Sequence, residues 1–201
     1  GKCVYVQVDI TNMREVQVGV DRTIGLFGKV DALVNNAGGG MDPVPLEHLE
    51  ESDWERLIRV NLTGAYLCSR AVIRCMKAQR GGRIINISSQ AGRSKSELSN
   101  LPYASAKAGL LGFTRQLAQE LGPYGITVNA VAPGLVLSGE RVAKRWEARS
   151  EEERSKRIEA IPLRRLGTPE EIARVIVFLA SDDSSYITGA TIDVNGGRFM
   201  M

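Results

Sequence analysis

An α/β fold, a parallel sheet with helices on both faces, follows from three features of the sequence. Short β-branched runs alternate with longer helical stretches along the whole chain. Glycine, proline, asparagine and serine close the strand-like runs. No internal repeat, low-complexity tract or interdomain linker breaks the alternation, so residues 1–201 are expected to form one domain.

Taken in order, Cys3 to Val8 (CVYVQV) reads as a strand ending at Asp9, and Thr11 as the N-cap of a helix reaching about Phe27. Ala32 to Val34 is a short apolar strand closed by Asn35-Asn36-Ala37-Gly38. After a polar loop, a long helix is predicted from about Ser52 to Ala78, with Cys68 and Cys75 packing inside it. Arg83 to Ile87 is the next strand, closed by Ser88-Ser89, and a second long helix spans about Pro102 to Leu121. Ile126 to Val131 forms a strand closed by Pro133-Gly134. The charged stretch Ser138 to Ala160 predicts one or two surface helices. Pro169 opens a helix to about Leu179, and Thr191 to Val194 is the last strand, stopped by Gly196-Gly197.

Composition narrows the function. Hydrophobic residues make up 43% and charged residues 24%, as in an ordinary globular domain. A net charge of +3 without a long basic block argues against nucleic acid. No apolar run reaches the length that spans a bilayer, and the first residues do not resemble a signal peptide. Three scattered cysteines fit a reducing cytoplasm rather than a disulfide framework. With no Cys-x-x-Cys pair and His48 as the one histidine, no metal site is expected.

In open parallel sheets, ligands bind outside the carboxyl ends of the strands. Asp9, Asn35 to Gly38, Ser88-Ser89 and Pro133-Gly134 all fall at such ends. Turn chemistry alone accounts for the glycines and asparagines, but less well for two serines followed by Tyr103 and Lys107. Tyr103 is the one tyrosine with a lysine four residues later, and that spacing puts both on one helix face. Reducing a ketone by hydride leaves an alkoxide that needs a proton. Free tyrosine, with a pKa of about 10, is a poor donor and acceptor near neutrality. A neighbouring ammonium favours phenolate and lowers that value. A serine hydroxyl can orient the carbonyl oxygen. No side chain supplies hydride, so a cofactor is implied.

These residues resemble the short-chain dehydrogenase/reductase family, in particular its 3-oxoacyl-carrier-protein reductases. The matching stretches are NNAG at 35–38, VNLTG at 60–64, INISS at 85–89, YASAK at 103–107, NAVAPG at 129–134, ITG at 187–189 and NGG at 195–197. They cover essentially the whole chain in the family's order. The resemblance implies a Rossmann-like doubly wound sheet, NAD or NADP as cofactor and a carbonyl or secondary alcohol as substrate. It implies that Tyr103 is the acid/base, and that Lys107 lowers its pKa and bonds the nicotinamide ribose. By the same resemblance, Ser89 rather than Ser88 is expected to orient the carbonyl, and Asn61 to hold a relay water. Asp9 and Ile10 are expected to contact the adenine. Asn36, Ala37 and Gly38 should line the ribose and diphosphate side, and Pro133, Gly134, Val136 and Ser138 should flank the nicotinamide.

One departure is large. The family's first two strands and their glycine-rich turn are absent from this sequence, about 50 residues against a complete doubly wound unit. The sequence is expected to be part of a longer chain, ahead of a natural truncation or a second polypeptide supplying the rest. A buried parallel strand is hard to leave unpaired. The residue that chooses between NAD and NADP lies in the absent part.

The segment Gly139 to Ala160 corresponds to the family's variable substrate lid. Trp146 suits substrate or core equally, and Arg141, Lys144 and Arg145 could meet an acidic substrate such as a carrier-protein thioester. The polar loop Arg93 to Leu101 is expected to border the same mouth. The two long helices carry small or apolar residues on more than one face, among them Ala104, Ala108, Leu111 and Phe113. The resemblance implies burial of the second face in a homotetramer. Sugar or polyol dehydrogenases, or a silent scaffold subunit, are the rival readings. The intact set Asn61, Ser89, Tyr103 and Lys107 argues for an active enzyme.

Overall fold

The computed structural model describes residues 1–95 and 99–200, except the side chain of Arg141. Four parallel strands form one sheet in chain order: β1 (Ala32–Asn35), β2 (Gly82–Ile87), β3 (Ile126–Pro133) and β4 (Thr191–Val194). Each neighbour is reached through a helical crossover, as parallel pairing requires. The helices are α1 (Met13–Phe27), α2 (Glu51–Ile58), α3 (Gly64–Gln79), α4 (Leu101–Leu121), α5 (Glu140–Glu147), α6 (Glu151–Glu159) and α7 (Pro169–Ala180). α3 and α4 cover one face of the sheet, and α7 the other.

Alternation along β2 divides the core. Ile84 turns to Val72 and Met76 of α3 and to Leu117 and Leu121 of α4. Ile85 and Ile87 turn the other way, to Leu179 of α7. β2 is buried along nearly its whole length, as a central parallel strand should be, with isoleucines on both faces. Full burial of each such side chain contributes about 1.5–3 kcal/mol. β1 lies at the sheet's edge, and Val34 on its outer face is 39% exposed.

The structure departs from the sequence reading at the start of the chain. Cys3 to Val8 form no strand and pair with none among the described residues, and Tyr5 is 81% exposed. β-branched residues favour a strand only where a neighbour takes up their amides and carbonyls. Here Val8 instead packs against Gly19 of α1. The cap of α1 shifts by one residue. The Asn12 side chain accepts from the Arg14 amide, while the Thr11 amide and hydroxyl both donate to the Asp9 carboxylate at 2.8 Å.

The single helix predicted over 52–78 is interrupted. Between α2 and α3, Arg59–Thr63 make a wide π-helical turn. Within it the Asn61 amide donates back to the Leu57 carbonyl, four residues earlier, at 2.9 Å. A side chain that competes for a helical carbonyl opens the turn at that point.

A polar chain locks the sheet to α4. Asn35 and Asn86 are register partners on β1 and β2, and the Asn35 amide donates to the Asn86 side-chain oxygen at 2.8 Å. The Asn86 amide donates to the Thr114 hydroxyl of α4 at 2.9 Å. Asn86 and Thr114 are fully buried. Such satisfied pairs hold α4 at one height against the strands, and so set where Tyr103 and Lys107, on the same helix, come to lie.

Candidate active site

α4 begins because Asn100 caps it. The Asn100 side-chain oxygen accepts the Tyr103 amide at 2.8 Å, and Pro102 sits in the first turn. The Asn100 amide also donates to the Met41 carbonyl at 2.8 Å, tying the helix start to the loop after β1. In that loop Gly40 lies beside Asn100 and the Tyr103 ring. A Cβ there would stand 3.6 Å from two ring carbons.

One turn further along α4, Lys107 is buried and its ammonium donates to the Ile87 carbonyl at 2.7 Å. The ammonium lies 5.6 Å from the centre of the Tyr103 ring. Burial pushes its pKa down to about 8. Among the described residues it has one hydrogen-bond acceptor for its three N–H groups. A buried ammonium with donors to spare suits a hydroxyl-rich ligand, so the residues present fit the ribose of a nucleotide cofactor.

Asn61 closes the back of the site. Its oxygen accepts the Gly39 amide at 3.0 Å, and its amide donates to the Gly39 carbonyl at 2.9 Å. With Leu57 as the other acceptor, both of its N–H groups are spent. Gly38 passes so close that a Cβ would lie 2.5 Å from the Asn61 oxygen and 3.6 Å from the Lys107 nitrogen. Only glycine fits this approach.

Ser88 and Ser89 separate in role. Ser88 is buried and its hydroxyl donates to the Lys107 carbonyl at 2.9 Å, which makes it a brace for α4. Ser89 is half-buried and faces a cleft of about 580 Å³. Tyr103, Gly38, Pro133, Gly134 and Ser138 line the same cleft, as do Leu135 and, from α5, Val142 and Trp146. The cleft thus takes in the carboxyl ends of β1, β2 and β3, the edge expected from the topology. Trp146, left undecided by the sequence, faces the cleft. Ser94, Lys95, Ser99 and Asn100 line it as well, so the loop after β2 does border the mouth. Residues 96–98 of that loop lie outside the described residues.

Other residues singled out in the sequence lie off the cleft. Asp9 and Ile10 do not line it. The Asp9 carboxylate is occupied by Thr11, whose amide and then hydroxyl hold it below the usual carboxylate range, and Ile10 packs on Gly64. Asn36 and Ala37 are exposed beside the cleft rather than in it. Val136 is likewise absent from the lining and bridges to Gly167. Lys144 pairs with Glu140 on the outside of α5, whereas Arg145 lines the cleft. The Arg141 side chain lies outside the described residues. Among the described residues no group of His, Cys, Asp and Glu is placed to hold a metal, and no helix is long and apolar enough to cross a membrane.

Gly92, just behind the cleft lining, is a packing position that the sequence does not single out. It follows Ser89 in a short 3-10 turn packed on α4. A Cβ at Gly92 would stand 2.6 Å from the Lys107 carbonyl carbon and 2.8 Å from the Ala108 nitrogen, both backbone atoms. Gly92→Ala is therefore expected to destabilise the protein by about 1–3 kcal/mol in urea unfolding, as overpacking does. It should also lower turnover by shifting α4. An unchanged unfolding midpoint would show that the turn moves freely.

Comparison with known proteins places the chain. Residues 1–198 match a family model described as enoyl-(acyl carrier protein) reductase. A 3-oxoacyl-[acyl-carrier-protein] reductase of Synechocystis sp. is 41% identical over 201 residues, 100% of this chain and 77% of that protein. A reductase of the same name from Aquifex aeolicus is 42% identical over 194 residues, 96% of this chain and 75% of its own length. The (2S)-[(R)-hydroxy(phenyl)methyl]succinyl-CoA dehydrogenase subunit BbsD of Thauera aromatica is 44% identical over 191 residues, 94% of this chain and 73% of its own. With these likenesses, the parallel α/β sheet and the cleft at its carboxyl edge, the chain belongs to the short-chain dehydrogenase/reductase family of nicotinamide-dependent oxidoreductases.

Proposed function

We propose that this chain interconverts a carbonyl and a secondary alcohol, with Tyr103 as the acid/base. The observation that carries the reading is the meeting of Ser89 and Tyr103 on one cleft, with the Lys107 ammonium buried beside the tyrosine ring. A bound nicotinamide supplies or takes the hydride. Tyr103 gives the carbonyl oxygen its proton in reduction and removes it in oxidation. The positive charge of Lys107 favours phenolate and brings the phenol's pKa toward neutrality. Ser89 donates to the carbonyl oxygen and holds it near the phenol. Asn61 acts as a positioning residue, since its amide is spent on Gly39 and Leu57. It fixes the glycine loop against Lys107.

Gly38, Pro133, Gly134 and Ser138 are the cleft residues that would flank NAD or NADP, and Lys107, buried behind the lining beside Gly38, would hold its ribose. The reductase names of the Synechocystis and Aquifex relatives favour a 3-oxoacyl thioester as substrate. A homotetramer through α3 and α4 is the expected assembly, supported by Tyr66 and Leu101, which are 43% and 46% exposed on these helices.

Fluorescence titration of the chain with NADH and NADPH tests the reading, followed by reduction of a simple 3-oxo ester. Saturable binding of at least one nucleotide and loss of its reduced absorbance with substrate are expected. Binding of neither would favour a silent scaffold.

A further inference from the structure

The cleft that Tyr103 faces is unevenly charged. Four cationic side chains line it, those of Lys95, Arg145, Arg149 and Arg198, and no carboxylate does so among the described residues. The three arginines are half-buried rather than splayed into solvent. Arg145 is neutralised from outside the lining, by Asp42 of the loop after β1 at 3.0 Å. Arg149 and Arg198 join no ion pair among the described residues. They come from separate parts of the chain, just past α5 and just past β4, and meet on one concavity. Fixed like charges in a partly enclosed, low-dielectric cleft raise each other's energy and focus a positive field. A solvated surface arginine relieves such repulsion by swinging outward, which a half-buried one cannot fully do. Guanidinium groups so placed match carboxylate and phosphate oxygens. Apolar Val142 and Trp146 of the same cleft suit a carbon chain.

From this charge distribution we infer that the substrate carries an anionic group of its own, received by Arg149 and Arg198. The inference rests on the carbonyl-reducing reading above, because it assigns the part of the substrate that does not react. Val142 and Trp146 hold the carbon body between the anion and the carbonyl at Tyr103. The anion is a carboxylate on the acyl portion or a phosphate on a carrier arm, since both present the same oxygens to a guanidinium.

Two matched pairs of ketones test it, each pair differing by one anion. The first is ethyl acetoacetate against the monoethyl ester of acetonedicarboxylate, and the second acetoacetyl-pantetheine against acetoacetyl-phosphopantetheine. The anionic member of at least one pair should show kcat/KM higher by about ten- to a hundredfold, the range of a charge-assisted contact. The pair that shows it tells carboxylate from phosphate. Arg149→Gln and Arg198→Gln should each erase most of that preference through KM, leaving kcat and the neutral member unchanged. Equal turnover within both pairs overturns the inference. So do variants that impair both members alike, or that weaken nucleotide binding instead, which would assign the arginines to the cofactor.

A binding arm keeps this separate from the oxidoreductase reading. In a Trp54→Phe background, Trp146 emission is titrated with glutarate, with inorganic phosphate and with neutral glutaramide. A response to an anion that Arg149→Gln removes sustains the anion site even if no ketone is turned over. In that case, no response to either anion overturns it.

Discussion

Tyr103→Phe lowers kcat/KM for ketone reduction by about 100- to 10,000-fold, the usual contribution of a positioned proton donor, and leaves the fold in place. Only the hydroxyl is lost. The ring remains, and Asn100 still accepts the backbone amide of residue 103. Lys107 keeps its bond to the Ile87 carbonyl, which does not involve the phenol. Urea unfolding should therefore agree with the parent within about 1 kcal/mol, the net worth of one hydrogen bond. Nucleotide affinity should hardly change, so the loss falls on kcat. Stopped-flow or steady-state kinetics with circular dichroism separate these outcomes. A Phe variant that retains turnover would hand the proton to another group and remove the central residue of the proposed mechanism.

The legibility of this site in the sequence followed the range of the forces involved. Strand and helix alternation from Ala32 onward was readable because periodicity is local. The Ser88-Ser89 pair, Tyr103 and Lys107 stand out because spacing and position along one sheet edge restrict them. The structure brings Ser89 and Tyr103 to one cleft with Lys107 beside the ring, while the preference for Ser89 over Ser88 comes from the resemblance. Asn100 carries a visible signal, an Asn two residues before Pro102, and it caps a helix that starts at Leu101, one residue before the predicted start. Gly92 carried almost none. Its importance is a backbone contact with Lys107 across the turn, and one glycine among 21 does not announce which neighbour it meets. Cys3 to Val8 shows the opposite failure. Its composition is that of a strand, but strand formation depends on a partner, and among the described residues no strand pairs with it. Asn61 lay between these cases. The resemblance singles it out, but the turn it opens between α2 and α3 and its paired bonds to Gly39 depend on where the loop after β1 lies.

Lys107→Met should cost turnover about as much as Tyr103→Phe, yet its effect on stability depends on pH. At neutral pH the buried ammonium is retained despite its desolvation, which has lowered its pKa from 10.5 to about 8. The folded chain therefore binds that proton less tightly than the unfolded chain. Between about pH 8 and 10.5 the unfolded state holds the extra proton, so raising the pH through this window stabilises the parent. The gain is on the order of 3 kcal/mol when complete. Below pH 8 the full penalty is present, and methionine removes it while giving up the bond to the Ile87 carbonyl, a loss of about 1–3 kcal/mol. These terms nearly cancel, so the two proteins should unfold at similar urea concentrations at pH 7. At pH 10 the parent should have gained on the variant, because groups common to both drop out of the difference. Cofactor-free protein is used for this comparison, since a ribose on Lys107 would change its pKa. A stability difference that stays flat from pH 7 to 10 would mean that Lys107 keeps an ordinary pKa. Its charge would then be less confined by burial than the site's geometry requires. Turnover supplies the second readout. Without the ammonium the phenol's pKa returns toward 10, so residual activity in the alcohol-oxidising direction should rise with pH well beyond the parent's range.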